Sequence, residues 1–228
     1  MTWLLPNKTE NYYNVMAKNY ATLAFTDSVK ALQELHGSRR TYARVAESRH
    51  NNGLSEQEIV FISERDSFYL ASIGENGYPY IQHRGGPAGF IKVLDANTLG
   101  IVDFEGNKQY ISVGNLQIHP QVSLIMVDYP RQARLKLYAD ARVVELKDDP
   151  ALFQQLDPTD YPHRPERMIL FDIQAYDWNC PQHITPRYTL SEIQAAFAPQ
   201  QAYLEALEKE VLELRAAKKN QVNAPEGV

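Results

Sequence analysis

The stretch that decides the fold reads Phe68-Tyr69-Leu70-Ala71-Ser72-Ile73, then Asn76-Gly77, then Tyr78-Pro79-Tyr80-Ile81-Gln82-His83-Arg84. Both flanking segments are rich in aromatic and β-branched residues, which favour extended strands. An Asn-Gly pair between two such segments is a strong signal for a tight hairpin turn. The sequence therefore predicts an antiparallel β-hairpin at this point.

Similar segments continue along the chain to about residue 180. Phe90 to Leu94 and Leu99 to Phe104 flank a turn at Ala96-Asn97 and predict a second hairpin. Three later strands are predicted at Val122 to Val127, Ala133 to Glu145 and Arg167 to Trp178. Helices are predicted from Asn107 to His119 and from Asp148 to Gln155. Short strands joined by tight turns favour an antiparallel barrel.

The residues before the barrel have a helical pattern. Thr26-Asp27-Ser28 offers N-caps for a helix that ends near Gly37, and a second helix is predicted from Ser38 to Ser48. Asn51-Asn52-Gly53 breaks that pattern. Ser55-Glu56-Gln57-Glu58 fits a capping box, which predicts a third helix running into Arg65.

The end of the chain predicts a further helix. Leu204, Leu207, Val211 and Leu214 alternate steps of three and four, as in a coiled-coil seam of about two heptads. The last residues, 220–228, are predicted to fray. We therefore expect a helical extension at 1–66, a barrel at 67–187, and a coiled-coil-like helix and tail at 188–228.

Composition excludes several classes of protein. The chain has 228 residues, of which 44% are hydrophobic and 22% charged, as in globular proteins. A net charge of −5 argues against a general nucleic-acid binder. One cysteine excludes an intrachain disulfide and a cysteine zinc cluster. Neither a membrane span nor a signal peptide is predicted, so a cytoplasmic protein is the expectation.

Three segments contain residues that could bind a ligand. Gly106-Asn107-Lys108-Gln109 follows a strand and precedes a helix, a geometry that suits a phosphate but also occurs in plain turns. Gln82 to Pro87 ends a strand with Arg84 beside two glycines, which suits either ligand contact or a surface loop. Asp177 to Arg187 concentrates polar and aromatic residues between stiffening prolines, and is either a ligand segment or a connector.

Common catalytic signatures are missing from the sequence. The six histidines show no zinc-protease spacing, and there is no nucleophile elbow, P-loop or dinucleotide-binding glycine motif. No metal site is predicted, and no catalytic residue can be named.

Taken together, these segments resemble the FMN-binding split-barrel proteins related to pyridoxamine 5′-phosphate oxidase. The closest resemblance is to a bacterial branch of flavin-nucleotide-binding proteins. It is carried by Arg65 to Ala71, Gln82 to Phe90, Gly106 to Leu116 and Asp177 to Arg187, and it covers residues 60–187. It implies an α+β fold, mainly β, built on a six-stranded antiparallel split barrel with N-terminal helices and a C-terminal helix.

The resemblance also implies a homodimer with FMN at the subunit interface. Family positions carried over to this sequence place cofactor-binding residues in two groups. In the first group are Gln82, His83, Arg84, Val102, Asp103, Asn107, Lys108 and Gln109. Arg134, Trp178 and Arg187 would reach the flavin from the partner subunit. The family often has two cations in the phosphate turn, whereas this chain has Lys108 and neutral Gln109, so Arg84 would supply the second charge.

One departure bears on activity. Pyridoxamine phosphate oxidases carry an R-x-H-x-R segment after the late tryptophan, and this chain has Cys180-Pro181-Gln182-His183-Ile184-Thr185-Pro186-Arg187 instead. We therefore expect an FMN-dependent oxidoreductase that acts on another small molecule. The alternatives are a non-catalytic FMN carrier or sensor, or the same barrel holding haem or a deazaflavin.

Overall fold

A computed structural model describes residues 19–48 and 53–222 of the chain. The predictions for residues 1–18, for the break at Asn51-Asn52 and for the tail beyond residue 222 lie outside the described residues. Seven helices are described: α1 Tyr20–Ala24, α2 Asp27–Leu35, α3 Arg39–Ser48, α4 Glu56–Ser63, α5 Ile111–Ile118, α6 Pro150–Leu156 and α7 Leu190–Val222. Seven strands accompany them: β1 Ser67–Ile73, β2 Pro79–Gly85, β3 Lys92–Asp95, β4 Thr98–Phe104, β5 Gln121–Asp128, β6 Ala133–Val144 and β7 Pro165–Asn179.

All seven strands belong to one antiparallel sheet in the order β2-β1-β5-β6-β7-β4-β3. The predicted α+β class and split-barrel fold are confirmed, but the predicted count of six strands is wrong by one. The count of six came from the family resemblance, whereas the strand segments predicted from the sequence number seven. The strand predicted at Phe90 to Leu94 forms as β3, a four-residue edge strand that pairs with β4 across the predicted turn at Ala96-Asn97.

Alternation along the strands produces the core. Buried side chains recur at every second residue of β1, β5 and β6, so one face of each strand is apolar. The main cluster includes Phe68, Leu70, Leu124, Met126 and Phe171, each almost fully buried. The predicted hairpin between β1 and β2 forms, and Gly77 adopts the positive φ of 81° that its turn needs.

The chain divides into two compact units. The first contains the sheet with helices α1 to α6, and the second comprises residues 129–131 and 185–228, which include α7. Helix α7 is longer than the sequence predicted, because it begins at Leu190 and continues through Pro199. Among the described residues, no helix is both long and apolar enough to cross a membrane.

Candidate functional site

A cleft of about 220 Å³ collects most of the predicted site residues. Its walls come from β2, the end of β4 and the loop that follows, the first turn of α5 and the start of β7. The polar and charged residues lining it are Gln82, Arg84, Asp103, Asn107, Lys108, Gln109, Ser112, Glu166 and Arg167. The structure therefore brings together Gln82, Arg84, Asp103 and the turn 107–109.

The alternation of β2 decides which of its residues reach the cleft. Gln82 and Arg84 lie two residues apart and share one face, where Arg84 Nη2 donates to Gln82 Oε1 at 3.3 Å. The hydroxyl of Ser112 on α5 donates to the same oxygen at 2.7 Å. His83 points to the opposite face, where its ring meets that of Tyr69 with centroids 5.4 Å apart. His83 is therefore not part of this cleft.

A charged cluster forms the floor of the cleft. One carboxylate oxygen of Asp103 accepts from Arg84 Nη1, and the other accepts from Arg167 Nη1 at 3.3 Å. Arg167 also pairs with Glu166 at 3.1 Å, and its guanidinium lies 5.0 Å from the ring centre of Tyr110. Two largely buried arginines thus share one buried aspartate, and Glu166 supplies the second carboxylate of the cluster.

The turn after β4 differs from its prediction. Helix α5 begins at Ile111 and not at Asn107, because Lys108 and Tyr110 adopt left-handed backbone conformations with φ of 59° and 55°. The side chain of Asn107 closes the turn by accepting from the Gln109 amide at 3.2 Å. The Asn107-Lys108-Gln109 segment is therefore a loop before the helix, and it still lines the cleft.

Lys108 already has a partner in this loop. Its ammonium lies 2.5 Å from Glu105 Oε1, and Arg164 approaches the other oxygen of Glu105 at 3.6 Å. The hydrogen bond and the opposite charge lower the pKa of Glu105 below its ordinary value and raise the pKa of Lys108. Lys108 is exposed, so an anion that enters the cleft can compete with Glu105 for it.

The start of α5 offers a second positive feature. Tyr110 is its N-cap and gives no side-chain hydrogen bond to the first turn, whose residues 111–113 line the cleft. Uncapped backbone N–H groups and the positive end of the helix dipole favour an anion there. The Nε of Arg84 is buried and has no hydrogen-bond partner among the described residues. These features fit a phosphate group.

Trp178 belongs to a different, structural cluster. Its Nε1 donates to Glu58 Oε1 at 2.6 Å, and its ring meets Phe61 edge-on at 4.8 Å. Glu58 Oε2 accepts from the Ser55 amide at 2.9 Å, as the predicted capping box requires, and from the Tyr176 hydroxyl at 3.3 Å. Glu58 therefore ties the first turn of α4 to β7.

The pKa values of this cluster follow from its contacts. Burial alone would raise the pKa of Glu58, but hydrogen bonds from Ser55 and Trp178 outweigh it and hold that pKa below its usual value. Burial and the neighbouring Glu58 charge raise the pKa of Tyr176 to about 12. Glu58 is thus an ionised, buried carboxylate at neutral pH.

The other predicted site residues are not among those that line the cleft. Val102 is buried in a small cluster with Leu156. Arg134 Nη2 donates to the Cys180 carbonyl at 2.9 Å. In the second unit, the guanidinium of Arg187 lies 4.9 Å from the ring centre of Tyr129. Contact of Arg134, Trp178 and Arg187 with a ligand across a subunit interface stays a prediction, as does contact of Val102 with a flavin.

One of the two glycines after Arg84 is explained by packing. A Cβ on Gly86 would lie 2.6 Å from the Phe90 ring, so the absence of a side chain lets that ring pack closely. The Gly86 amide donates to the Asp66 carbonyl at 2.9 Å. Close approach of a ligand is not needed to account for this glycine.

Sequence reasoning missed Arg167, Glu166, Tyr110 and Ser112 as parts of the cleft. Arg167 is the first residue of the last predicted strand, and nothing near it in the sequence indicates that its side chain contacts Asp103. Only the register of the β4–β7 pair, which sets Asp103 opposite Arg167, brings it to the cleft. A prediction of strand pairing would have found it.

Comparison with known proteins settles the family. A family model described as pyridoxamine 5′-phosphate oxidase matches residues 54–176, more than half of the chain. The chain belongs to the pyridoxamine 5′-phosphate oxidase family. The match spans the cleft, strands β1 to β6 and β7 as far as residue 176. No curated protein sequence matches the chain.

Solved structures resemble the chain more weakly. HupZ of Group A Streptococcus is 12% identical, with a TM-score of 0.45, over 59% of this chain and 100% of its own. A Clostridium acetobutylicum protein related to general stress protein 26, of the pyridoxinephosphate oxidase family, is 16% identical, with a TM-score of 0.40, over 61% and 99%. An FMN-binding protein from Syntrophomonas wolfei is 12% identical, with a TM-score of 0.40, over 64% and 97%. Scores and identities this low are no basis for transferring function.

Proposed function

We propose that this member of the pyridoxamine 5′-phosphate oxidase family is a cytoplasmic FMN-binding flavoprotein of the bacterial flavin-nucleotide-binding branch. The observation that carries the proposal is the convergence of three cationic or N–H-rich features on one cleft. They are Arg84 with its unpartnered Nε, Lys108 on the loop, and the uncapped first turn of α5. Together they suit the phosphate of a nucleotide.

The groups of the cleft that are free to bind an anion support a phosphate as the ligand. Arg84 and Arg167 are matched in charge by Asp103 and Glu166, but the Arg84 Nε has no hydrogen-bond partner among the described residues, and Lys108 can exchange Glu105 for a phosphate oxygen. Charge-assisted hydrogen bonds of this kind contribute roughly 1.5–3 kcal/mol each when they involve a buried charged group. A ligand without a phosphate, such as riboflavin, makes none of them.

The proposed flavin site needs a second chain. A cleft of about 220 Å³ is smaller than the ~300–1,000 Å³ typical of small-molecule sites. One chain therefore has room for the phosphate end of a nucleotide, and we propose that a partner subunit completes the slot for the ring. In that arrangement Arg134, Trp178 and Arg187 of one subunit would approach the flavin held by the other.

The β1–β2 hairpin offers a surface for this dimer. Its outer face exposes apolar side chains, which we call the hairpin patch: Tyr69, Ile73, Tyr78 and Ile81. An exposed apolar cluster on an edge strand is a feature of surfaces that bind another chain. Ile81 lies on the same strand as Gln82 and Arg84 but on its opposite face, so a partner on the hairpin patch would contact the strand that borders the cleft.

When bound, FMN would supply the electron transfer, and the residues of the chain would bind and orient it. Arg84, Lys108 and the first turn of α5 would hold the phosphate, and Gln82 with Ser112 would border it. We propose an oxidoreductase acting on a small molecule other than pyridoxamine phosphate, because the R-x-H-x-R segment is replaced. A non-catalytic FMN carrier is the alternative that the activity test distinguishes.

The direct test is an absorption spectrum of the purified protein followed by titration with FMN and with riboflavin. We expect a flavin spectrum and FMN binding much tighter than riboflavin binding. A haem or deazaflavin spectrum, or equal affinities for the two flavins, would contradict the proposal. Oxidation of a reduced nicotinamide by the loaded protein would favour an oxidoreductase, and its absence would favour a carrier.

Light scattering tests the proposed interface. We expect the wild-type protein to have twice the mass of one chain, and Ile81→Arg on the hairpin patch to lower the fraction of dimer at a given protein concentration. Leu35→Arg is the matched control, because Leu35 is 76% exposed on α2, outside the patch. A wild-type mass of one chain, or equal effects of both variants, would contradict this interface.

A further inference from the structure

Helix α7 carries a longer heptad pattern than its sequence first indicates. Because the helix begins at Leu190, the apolar seam extends upstream of Leu204. Seven-residue steps place Leu190, Phe197, Leu204 and Val211 at the a positions of four heptads. The d positions of the same heptads are Ile193, Gln200, Leu207 and Leu214.

The seam is open to solvent within one chain. Every side chain from residue 185 to residue 216 is exposed. Leu190 is 70% exposed and Leu214 is 62% exposed. Between them, Leu204, Leu207 and Val211 line an apolar groove of about 350 Å³. An apolar stripe of this kind is buried when a second helix packs on it.

We propose that α7 pairs with α7 of a second copy of this chain as a parallel, in-register, two-stranded coiled coil. Charge complementarity supports this occupant. Glu210 occupies a g position, and Arg215, five residues later, occupies the e position of the next heptad. In a parallel coiled coil, a g residue of one helix faces the e residue five positions later on the other helix, which is written e′. Two symmetric Glu210–Arg215 pairs would therefore flank the Val211 layer.

The core residues support the same geometry. Of the four a positions, Val211 is the β-branched one, and its combination with Leu207 and Leu214 at d is the pattern that favours two strands in the last heptad. Gln200 is the one polar residue among these eight core positions. In a parallel, in-register pair the two Gln200 amides meet and can hydrogen-bond, whereas a shifted register sets each amide against an apolar side chain. Gln200 therefore fixes the register.

Pro199 is compatible with this pairing. It occupies a c position, which faces away from the seam, and it lies next to Gln200. A proline inside a helix removes one backbone hydrogen bond and bends the helix. The bend falls between the first three apolar layers and the continuous run from Leu204 to Leu214.

Disulfide trapping in the full-length chain tests the proposal. In a Cys180→Ser background, which removes the free cysteine, we would introduce Ile193→Cys or Leu214→Cys, each at a d position. Like d positions of a parallel pair are close enough for a disulfide. We expect both variants to form covalent dimers under mild oxidation.

The matched controls are Ala195→Cys and Ala216→Cys, which are exposed f positions two residues from each seam cysteine. We expect them to stay monomeric on a denaturing gel. Failure at either seam position, or equal cross-linking at the controls, would overturn the proposal. A seam cysteine that resists alkylation without cross-linking would also overturn it, because another segment would then cover the seam.

A charge exchange gives an independent readout. Glu210→Lys places like charges at each g–e′ contact and should reduce the yield of the Leu214→Cys disulfide about tenfold. Adding Arg215→Glu restores opposite charges and should restore the yield. An unchanged yield in the single variant, or no recovery in the double variant, would overturn the parallel arrangement. This readout does not depend on flavin binding, so its failure leaves the proposed function standing.

Discussion

Arg84 on β2 and Asp103 on β4 form an ion pair whose side chains are only 11% and 6% exposed. Asp103 also binds Arg167 through its second oxygen, so one carboxylate compensates two guanidinium groups. Removing one partner of a buried ion pair leaves the other charge buried without compensation. The resulting loss of stability is larger than the net stabilisation that the intact pair provides. The floor of the cleft is therefore sensitive to the loss of this aspartate.

The first prediction concerns stability. Asp103→Ala should lower the free energy of unfolding by about 3–5 kcal/mol, measured by urea denaturation, because Arg84 stays largely buried without a counter-charge and Arg167 keeps only Glu166. Asp172→Ala is the matched control: Asp172 lies on β7, 3.6 Å from Arg142, and both side chains are about half exposed. Asp172→Ala should lower the free energy of unfolding by about 0–1 kcal/mol. Equal losses would show that the Asp103 cluster does not stabilise the fold.

The second prediction is a pH dependence set by Glu58. Its pKa in the folded protein lies below the ordinary value of 4.5, so its ionised form stabilises the fold above that pH. This stabilisation is lost as pH falls through the folded-state pKa. Glu58→Gln should therefore be less stable than wild type at neutral pH, by about 1–3 kcal/mol. The difference should shrink well below pH 4.5.

The measurement is urea unfolding of both proteins over a range of acidic pH. Taking the difference between them removes the contribution of the other carboxylates. Glu56→Gln on the same helix, with an exposed side chain, is the control and should show no such pH-dependent difference. A constant difference between wild type and Glu58→Gln at all pH values would contradict the assigned charge.

Local signals in the sequence predicted local structure well. The capping box at Ser55 and Glu58, the turn at Gly77 and the hairpin pairing of β1 with β2 depend on residues close in sequence. The strand predicted from Ala133 to Glu145 likewise forms, as β6 from Ala133 to Val144. These features could be predicted because neighbouring residues determine them.

Contacts between distant segments could not be predicted in this way. Glu58 serves α4 as a capping residue, and nothing local indicates that Trp178 also donates to it from 120 residues away. The late start of α5 has the same origin, since Tyr110 adopts its left-handed conformation while its hydroxyl bonds Glu166 on β7. Strand register, which a single sequence does not encode locally, brings these groups together.

The third prediction concerns the competition for Lys108. Glu105→Gln removes the carboxylate that holds the Lys108 ammonium, so the ammonium becomes available to a phosphate. FMN affinity should rise by about two- to fivefold, and riboflavin affinity should stay the same. Glu145→Gln, an exposed residue after β6, is the control. Weaker FMN binding by Glu105→Gln would mean that Glu105 supports the site.

Lys108 is the residue whose role tests the proposed phosphate site most directly. The measurement is the dissociation constant for FMN and for riboflavin, by flavin fluorescence, in wild type, Lys108→Ala and the exposed control Lys147→Ala. We predict that Lys108→Ala weakens FMN binding about tenfold or more and riboflavin binding much less, while Lys147→Ala changes neither. Unchanged FMN affinity in a folded Lys108→Ala protein would contradict the assignment of the phosphate site.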